Sequence, residues 1–117
     1  MKVNLKTLAK TLQGGPYFEK PGIDQFGQIV PDEMRGEQKT LAFFIIEALQ
    51  IPFDGITGEQ KIKRYELGKK ILTSSKETDL SIEEAMLIKE VTGKYSPVSV
   101  CGKVWELLEK KNADTVG

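Results

Sequence analysis

The residues able to perform chemistry are few in this 117-residue chain, and their spacing suits no catalytic arrangement. The chain contains no histidine and a single cysteine, Cys101. A Ser/His/Asp or Cys/His arrangement is therefore impossible, and the commonest general base and zinc ligand is missing. Cys101 falls on the apolar side of a predicted helix, which is typical of a small core residue rather than a nucleophile.

Two pairs of carboxylates are adjacent in the sequence, Asp32-Glu33 and Glu83-Glu84. Neighbouring residues on a helix do not face each other, so these pairs do not predict a general acid and base acting together. No glycine-rich stretch has the spacing of a phosphate-binding loop with its lysine. We therefore predict a protein that is not an enzyme, with no catalytic residue, no cofactor and no metal site.

A basic run in the second half of the chain is the feature that could contact phosphates. Its members are Lys61, Lys63, Arg64, Lys69 and Lys70. Glu59 precedes Lys63 by four residues, and Glu66 precedes Lys70 by four. Such pairs stabilise a solvent-exposed helix face by about 0.2–0.5 kcal/mol each. We favour a solvated face, with contact to nucleic acid as the alternative.

Charge and composition narrow the class of protein. Lys and Arg number 17, as do Asp and Glu, so the formal net charge is zero, which argues against a strongly basic nucleic-acid binder. A lone cysteine cannot form an internal disulfide, which favours an intracellular setting. No segment approaches the roughly 20 apolar residues of a membrane helix, and the N-terminus does not resemble a signal peptide. We therefore expect a cytoplasmic protein that does not bind membranes.

Two capping boxes predict the helices that carry these residues. Thr57 is followed three residues later by Gln60, and Ser81 is followed by Glu84 at the same spacing. In a capping box each side chain satisfies a free backbone N–H at the start of the helix. The second of these helices is predicted to end at Gly93, since glycine is a common C-terminal stop.

The spacing of apolar residues predicts which face of each C-terminal helix is buried. The third helix begins at Ser96-Pro97, because proline is favoured in the first helical turn. The predicted buried positions are Ile62, Tyr65, Gly68 and Leu72 on the first helix, Ile82, Ala85, Met86, Ile88 and Val91 on the second, and Val98, Cys101, Val104, Trp105 and Leu108 on the third. Inside a helix, Gly68 is less favourable than alanine by about 1 kcal/mol. Either a close approach of two helices requires this glycine, or the helix tolerates it as a defect.

The most hydrophobic stretch, Thr40–Gln50, is apolar nearly all round. Its length, its threonine cap and a proline two residues after its end favour a helix, although its β-branched and aromatic content would also suit a strand. Such a helix is either buried at the centre of the domain or exposed to a partner chain. Phe43, Phe44 and Ile46 are therefore candidate contacts for another protein or for a second copy in a homo-oligomer.

The first 38 residues are predicted to form a hairpin and a packed loop. Gly14-Gly15 can supply the positive φ angles of a tight β-hairpin. Between residues 21 and 38, glycines and prolines interrupt regular structure. Apolar residues in this loop, including Phe26 and Ile29, are expected to pack on the domain or, alternatively, to bind a partner.

Part of the chain resembles a set of small proteins encoded by tailed bacteriophages and prophages. The residues that carry the likeness are GEQKIKRYELGKKI (58–71), DLSIEEAMLIK (79–89) and GKYSPVSVCGKVWELLE (93–109). The resemblance covers roughly half of the chain. It implies a phage origin and a helical C-terminal unit, and it supplies no functional residues.

These patterns predict an α+β domain, mostly α, with a short N-terminal β-hairpin followed by a compact bundle of about four helices. We expect a single domain over residues 1–117, with hairpin and packed loop over 1–38, a helical unit over 39–111 and a frayed tail over 112–117. The predicted function is protein–protein contact by a phage-encoded protein that modulates a host factor or assists assembly. The alternative is a small nucleic-acid-binding regulator that uses the basic run.

Overall fold

Four helices and a two-stranded sheet make up the chain. The computed structural model describes the backbone of residues 1–116 and the side chains of residues 1–110. The helices are α1 (Leu41–Leu49), α2 (Gly58–Thr73), α3 (Ile82–Tyr95) and α4 (Val98–Val116), and a short 3-10 helix spans Asp32–Met34. The predicted class, α+β and mostly α, is confirmed. The frayed tail predicted over 112–117 falls on residues whose side chains lie outside the described part.

The sheet joins the start of the chain to the segment before α3. Strand β1 (Lys2–Val3) pairs antiparallel with β2 (Thr78–Asp79), and Val3 lies opposite Thr78. Both Val3 and Thr78 are buried. The pairing therefore fixes the N-terminal segment against the helical part of the domain.

Helix α1 lies at the centre of the domain and contacts the other three helices. The Thr40 hydroxyl caps it by accepting a hydrogen bond from the backbone N–H of Phe43 at 3.2 Å. Its buried residues are Leu41, Ala42, Ile45, Ala48 and Leu49. The prediction of a buried central helix is confirmed, because an element that is apolar nearly all round can be covered from several sides at once.

Both capping boxes form as predicted. The Thr57 hydroxyl accepts from the Gln60 N–H at 3.1 Å, and the Gln60 side chain accepts from the Thr57 N–H at 2.9 Å. Ser81 and Glu84 make the same two bonds at 3.1 and 2.9 Å. Each box depends on residues within one turn, which is why the sequence reveals it.

The prediction that Gly93 ends α3 is wrong, since the helix continues to Tyr95. A C-terminal stop glycine works by adopting positive φ, and Gly93 is not among the glycines that do so. The helix ends instead at Ser96, whose backbone is extended at φ −98° and ψ 155°. Pro97 explains this end, because the residue before a proline is disfavoured in the helical region.

The buried face of α2 also differs from the predicted one. Arg64, Leu67 and Ile71 are buried, whereas Ile62, Tyr65 and Leu72 are exposed. The helix carries two stripes of apolar side chains, and periodicity does not decide which of them meets α1. On the other two helices, Ala85, Ile88, Val91, Val104 and Leu108 are buried as predicted. Cys101 is half-buried, and the prediction of buried side chains is wrong for Ile82, Met86, Val98 and Trp105, which are exposed.

The chain reverses in a tight hairpin about Gly14-Gly15, as predicted. The Thr11 N–H donates to the Gly15 carbonyl at 2.8 Å, the Gly14 N–H donates to the Thr11 carbonyl at 2.9 Å, and Gly14 has φ +88°. Lys10 and Pro16 face each other as an antiparallel bridge. An exposed Leu12 lies at the turn.

Candidate functional site

Residues 19–37 form an arm that leaves the domain just before α1. At its base the Glu19 N–H donates to the Glu37 carbonyl at 3.1 Å, and the Lys20 N–H donates to the Arg35 carbonyl at 2.9 Å. The Arg35 guanidinium lies 4.5 Å from the centre of the Phe18 ring. These contacts order the two limbs of the arm although neither limb forms a strand.

The tip of the arm is a second tight hairpin. The Asp24 N–H donates to the Gln28 carbonyl at 2.9 Å, the Gly27 N–H donates to the Asp24 carbonyl at 3.0 Å, and Gly27 has φ +80°. The Asp24 carboxylate accepts from the N–H groups of Phe26 and Gln28, both at 2.9 Å. An aspartate at the first turn position and a glycine three residues on are a readable turn signal that the sequence analysis missed.

The arm presents its large apolar side chains to solvent. Phe26 is 78% exposed and Ile29 is 85% exposed, and Ile23 and Met34 are also exposed. The prediction that this loop packs on the domain is therefore wrong. The physical reason is that residues of the arm donate hydrogen bonds to one another. The backbone of the arm is therefore ordered without hydrogen bonds to the rest of the domain. The alternative interpretation, a loop that binds a partner, remains a prediction.

An open groove lies between α1 and α2, beside the link that joins them. Its volume is about 660 Å³. The apolar part of its lining consists of Ile46, Leu49, Ile51, Pro52, Ile56, Tyr65, Gly68 and Leu72. The α2 residues that sequence analysis assigned to the core, Tyr65 and Leu72, thus form a wall of this groove.

Cations border the same groove. Lys61, Arg64 and Lys69 line it, and no carboxylate does so among the described side chains. Arg64 is buried, and its guanidinium lies 5.0 Å from the centre of the Phe53 ring. Its Nη1 is buried without a hydrogen-bond partner among the described residues. The Phe53 ring therefore provides a cation–π contact to this guanidinium.

The five residues predicted to contact a partner do not share one surface. Phe26 and Ile29 lie on the arm, and Ile46 lines the α1–α2 groove. Phe43 and Phe44 are half-buried in an aromatic cluster, where Phe44 meets the edge of the Tyr17 ring at 5.1 Å between centroids.

The five residues of the basic run are separated as well. Arg64 is buried and Lys70 pairs with Glu84 at 2.9 Å, while Lys61, Lys63 and Lys69 remain exposed. The structure therefore reduces the surface that could contact phosphates to three lysines, two of which border the apolar groove.

Glu84 connects α2 with the start of α3. Burial by itself would raise the pKa of the Glu84 carboxyl, but the Ser81 N–H and the Lys70 ammonium outweigh it and hold that pKa below its ordinary value. Both donors reach the same oxygen, each at 2.9 Å. This carboxylate therefore links α2 to the N-terminal end of α3.

Three further observations concern metal ligands, membrane-spanning helices and the cysteine in the part of the chain whose side chains are described. Within it, no cluster of three or more histidine, cysteine, aspartate or glutamate side chains could hold a metal ion. In the same part, every helix is too short or too polar to cross a membrane. Cys101 is half-buried on α4.

Comparisons with known proteins add no assignment. Nothing matches this chain among the protein-family models, the curated proteins or the solved structures. The phage origin expected from the resemblance therefore remains a prediction.

Proposed function

We propose that this protein acts by protein–protein contact rather than by catalysis, and that the arm is the part that contacts a partner. The observation that carries the proposal is the tip, where Phe26 and Ile29 are exposed on a backbone held by its own hydrogen bonds. Single exposed apolar residues are ordinary on protein surfaces. An ordered hairpin that displays two of them is different, because little conformational freedom remains to be lost on binding.

The biological setting in this proposal rests on the resemblance of residues 58–109 to small phage proteins. A phage-encoded protein of this kind would act in the host cytoplasm, where it modulates a host factor or assists assembly. The neutral net charge is consistent with a protein partner. Contact with nucleic acid through Lys61, Lys63 and Lys69 is the weaker alternative, because the other two members of the basic run are engaged within the chain.

The experiment is photo-crosslinking in the expressing cell, with a photoreactive phenylalanine at position 26. Position 12 is the matched control, because Leu12 lies in a hairpin of similar hydrogen bonding and is 79% exposed, against 78% for Phe26. We expect a discrete adduct from position 26 that disappears when Ile29→Asp is added. Identical adducts from both positions, or none from position 26, would contradict the proposal.

A DNA-binding measurement separates the alternative function. Binding of a random duplex that weakens as salt rises, and that Lys63→Glu with Lys69→Glu abolishes, would favour the nucleic-acid regulator. We expect no such binding at physiological salt.

A further inference from the structure

The tip of the arm and the α1–α2 groove are apolar surfaces that no described part of the chain covers. We propose that the arm of one molecule docks in the α1–α2 groove of a second copy, so that Phe26 and Ile29 lie against its apolar wall. This inference rests on the proposed function and names the partner of the arm. A single kind of contact would cover both surfaces.

The charges of the two surfaces are opposite. Between Glu19 and Glu37 the arm carries five carboxylates and two cations. One of those cations, Arg35, is already engaged by Asp32 at 3.4 Å and by the Lys20 carbonyl at 3.2 Å. The groove is lined by three cations and, among the described side chains, no carboxylate. Complementary charge of this kind orients two surfaces and excludes like-charged competitors.

Arg64 adds a second observation that points to an acidic or carbonyl-bearing occupant. Arg64 lines the groove, and its Nη1 is buried without an acceptor from the described residues. The arm carries acceptors in quantity, from its carboxylates and from the carbonyls of its tip. An arm seated in the groove would bring these acceptors beside Arg64 and the exposed Lys61 and Lys69.

A second hollow on the surface suits the arm less well. It lies between the first hairpin and α4, where Leu8, Leu12 and Val98 contribute apolar area. Its two cations, Lys10 and Lys103, are accompanied by a carboxylate, Glu106. The α1–α2 groove therefore offers the stronger match in charge.

The arm does not lie in the groove of its own chain. The arm rejoins the domain just before Thr40, at the N-terminal end of the helix, whereas the groove is lined by Ile46 and the residues that follow it. Phe26 is 78% exposed in the single chain, so the arm does not occupy its own groove. Reciprocal docking of two arms in two grooves would give a closed two-fold dimer.

The test uses sedimentation velocity on the full chain with two variants, each with a matched control. Phe26→Ser disables the arm, and Leu12→Ser removes an equally exposed residue from the other hairpin. Leu72→Asp disables the groove, and Ile82→Asp places the same charge at a site on α3 that is 67% exposed, against 66% for Leu72. All four positions are exposed, so each variant is expected to fold.

We expect the natural sequence to dimerise, and each disabling variant to weaken dimerisation by roughly 30-fold or more, as at an interface hot spot. The two controls should dimerise like the natural sequence. A chain that carries both Phe26→Ser and Leu72→Asp should lose less dimerisation than the product of the two single fold-changes, because both substitutions would fall in the same contact. Separate contacts of arm with arm and of groove with groove would give fold-changes that multiply.

Several results would overturn the inference. A natural chain that stays monomeric up to about 1 mM would do so. So would single variants that dimerise normally, or a doubly substituted chain whose loss equals the product of the two single fold-changes. Oligomers larger than a dimer that become more abundant as the protein concentration rises would refute the closed two-fold dimer. If the chain is monomeric yet position 26 gives a discrete adduct with another protein, the self-docking inference fails while the proposed function stands. If neither occurs, both fail.

Discussion

Replacing Gly68 with alanine tests how α2 packs against the rest of the domain. Inside a helix, glycine is less favourable than alanine by about 1 kcal/mol. A methyl group at position 68 would lie 3.9 Å from Leu49 Cδ1, which is ordinary van der Waals contact. Apart from the backbone of α2 itself, no other described atom would lie within 4 Å of it. No close helix–helix approach therefore depends on this glycine. We expect Gly68→Ala to raise the free energy of unfolding by about 1 kcal/mol.

Gly102→Ala provides the matched control, because Gly102 lies within α4 and an added methyl group there would meet no described atom within 4 Å. Both variants should gain the same helix propensity. For a domain of this size the gain corresponds to a rise in Tm of roughly 3–6 °C. Urea unfolding and thermal unfolding of the three proteins would measure it. A loss of stability in Gly68→Ala beside a gain in Gly102→Ala would refute the packing described for α2.

Three further predictions concern acid stability, the arm and the core. Because the pKa of Glu84 is lowered in the folded chain, its contribution to stability is complete above the ordinary carboxyl range and is lost as pH falls through the lowered pKa. Glu84→Gln should remove that part of the acid-side loss in urea unfolding measured across pH, and an unchanged pH profile would contradict this. Asp24→Ala removes the carboxylate that accepts hydrogen bonds from the Phe26 and Gln28 N–H groups. The rate of hydrogen exchange at the Phe26 amide should therefore rise by roughly tenfold or more, while the helical circular dichroism stays constant. Ile45→Ala should lower the free energy of unfolding by about 2–5 kcal/mol, since this side chain is fully buried. Ile62→Ala, on the exposed face of α2, should change it by less than about 0.5 kcal/mol. Equal losses in the two variants would contradict the burial of Ile45 and the exposure of Ile62.

The starts of the helices could be predicted from the sequence because caps are local. Thr57 with Gln60 and Ser81 with Glu84 satisfy backbone groups within a single turn. Thr40 likewise caps the helix that its own apolar run creates. Such hydrogen bonds need no information from distant parts of the chain.

The orientation of the helices could not be predicted in the same way. Helix α2 offers Leu67 and Ile71 on one stripe and Tyr65 and Leu72 on another, and both stripes are apolar. The surface of α1 selects the first stripe, and the second becomes the wall of the groove. Periodicity identifies an amphipathic helix, but the partner element decides which stripe is covered.

The arm has one feature that the sequence predicts and one that it does not. Its turn residues, Asp24 and Gly27, mark a hairpin that is legible in the sequence. The exposure of Phe26 is not legible, because it depends on whether any other part of the domain reaches the tip. The prediction that the apolar residues of this loop pack on the domain was therefore wrong.

What the sequence by itself determined is local and compositional: the caps, the helical segments, the tight turns and the lack of histidine chemistry. Only the tertiary structure decided which cations are free, since Lys70 is paired with Glu84 and Arg64 is buried in the groove wall. The physical reason is that caps and turns involve residues within a few positions of each other. Grooves, ion pairs between helices and the pairing of β1 with β2 arise where distant segments meet, and their energies depend on all of those segments together.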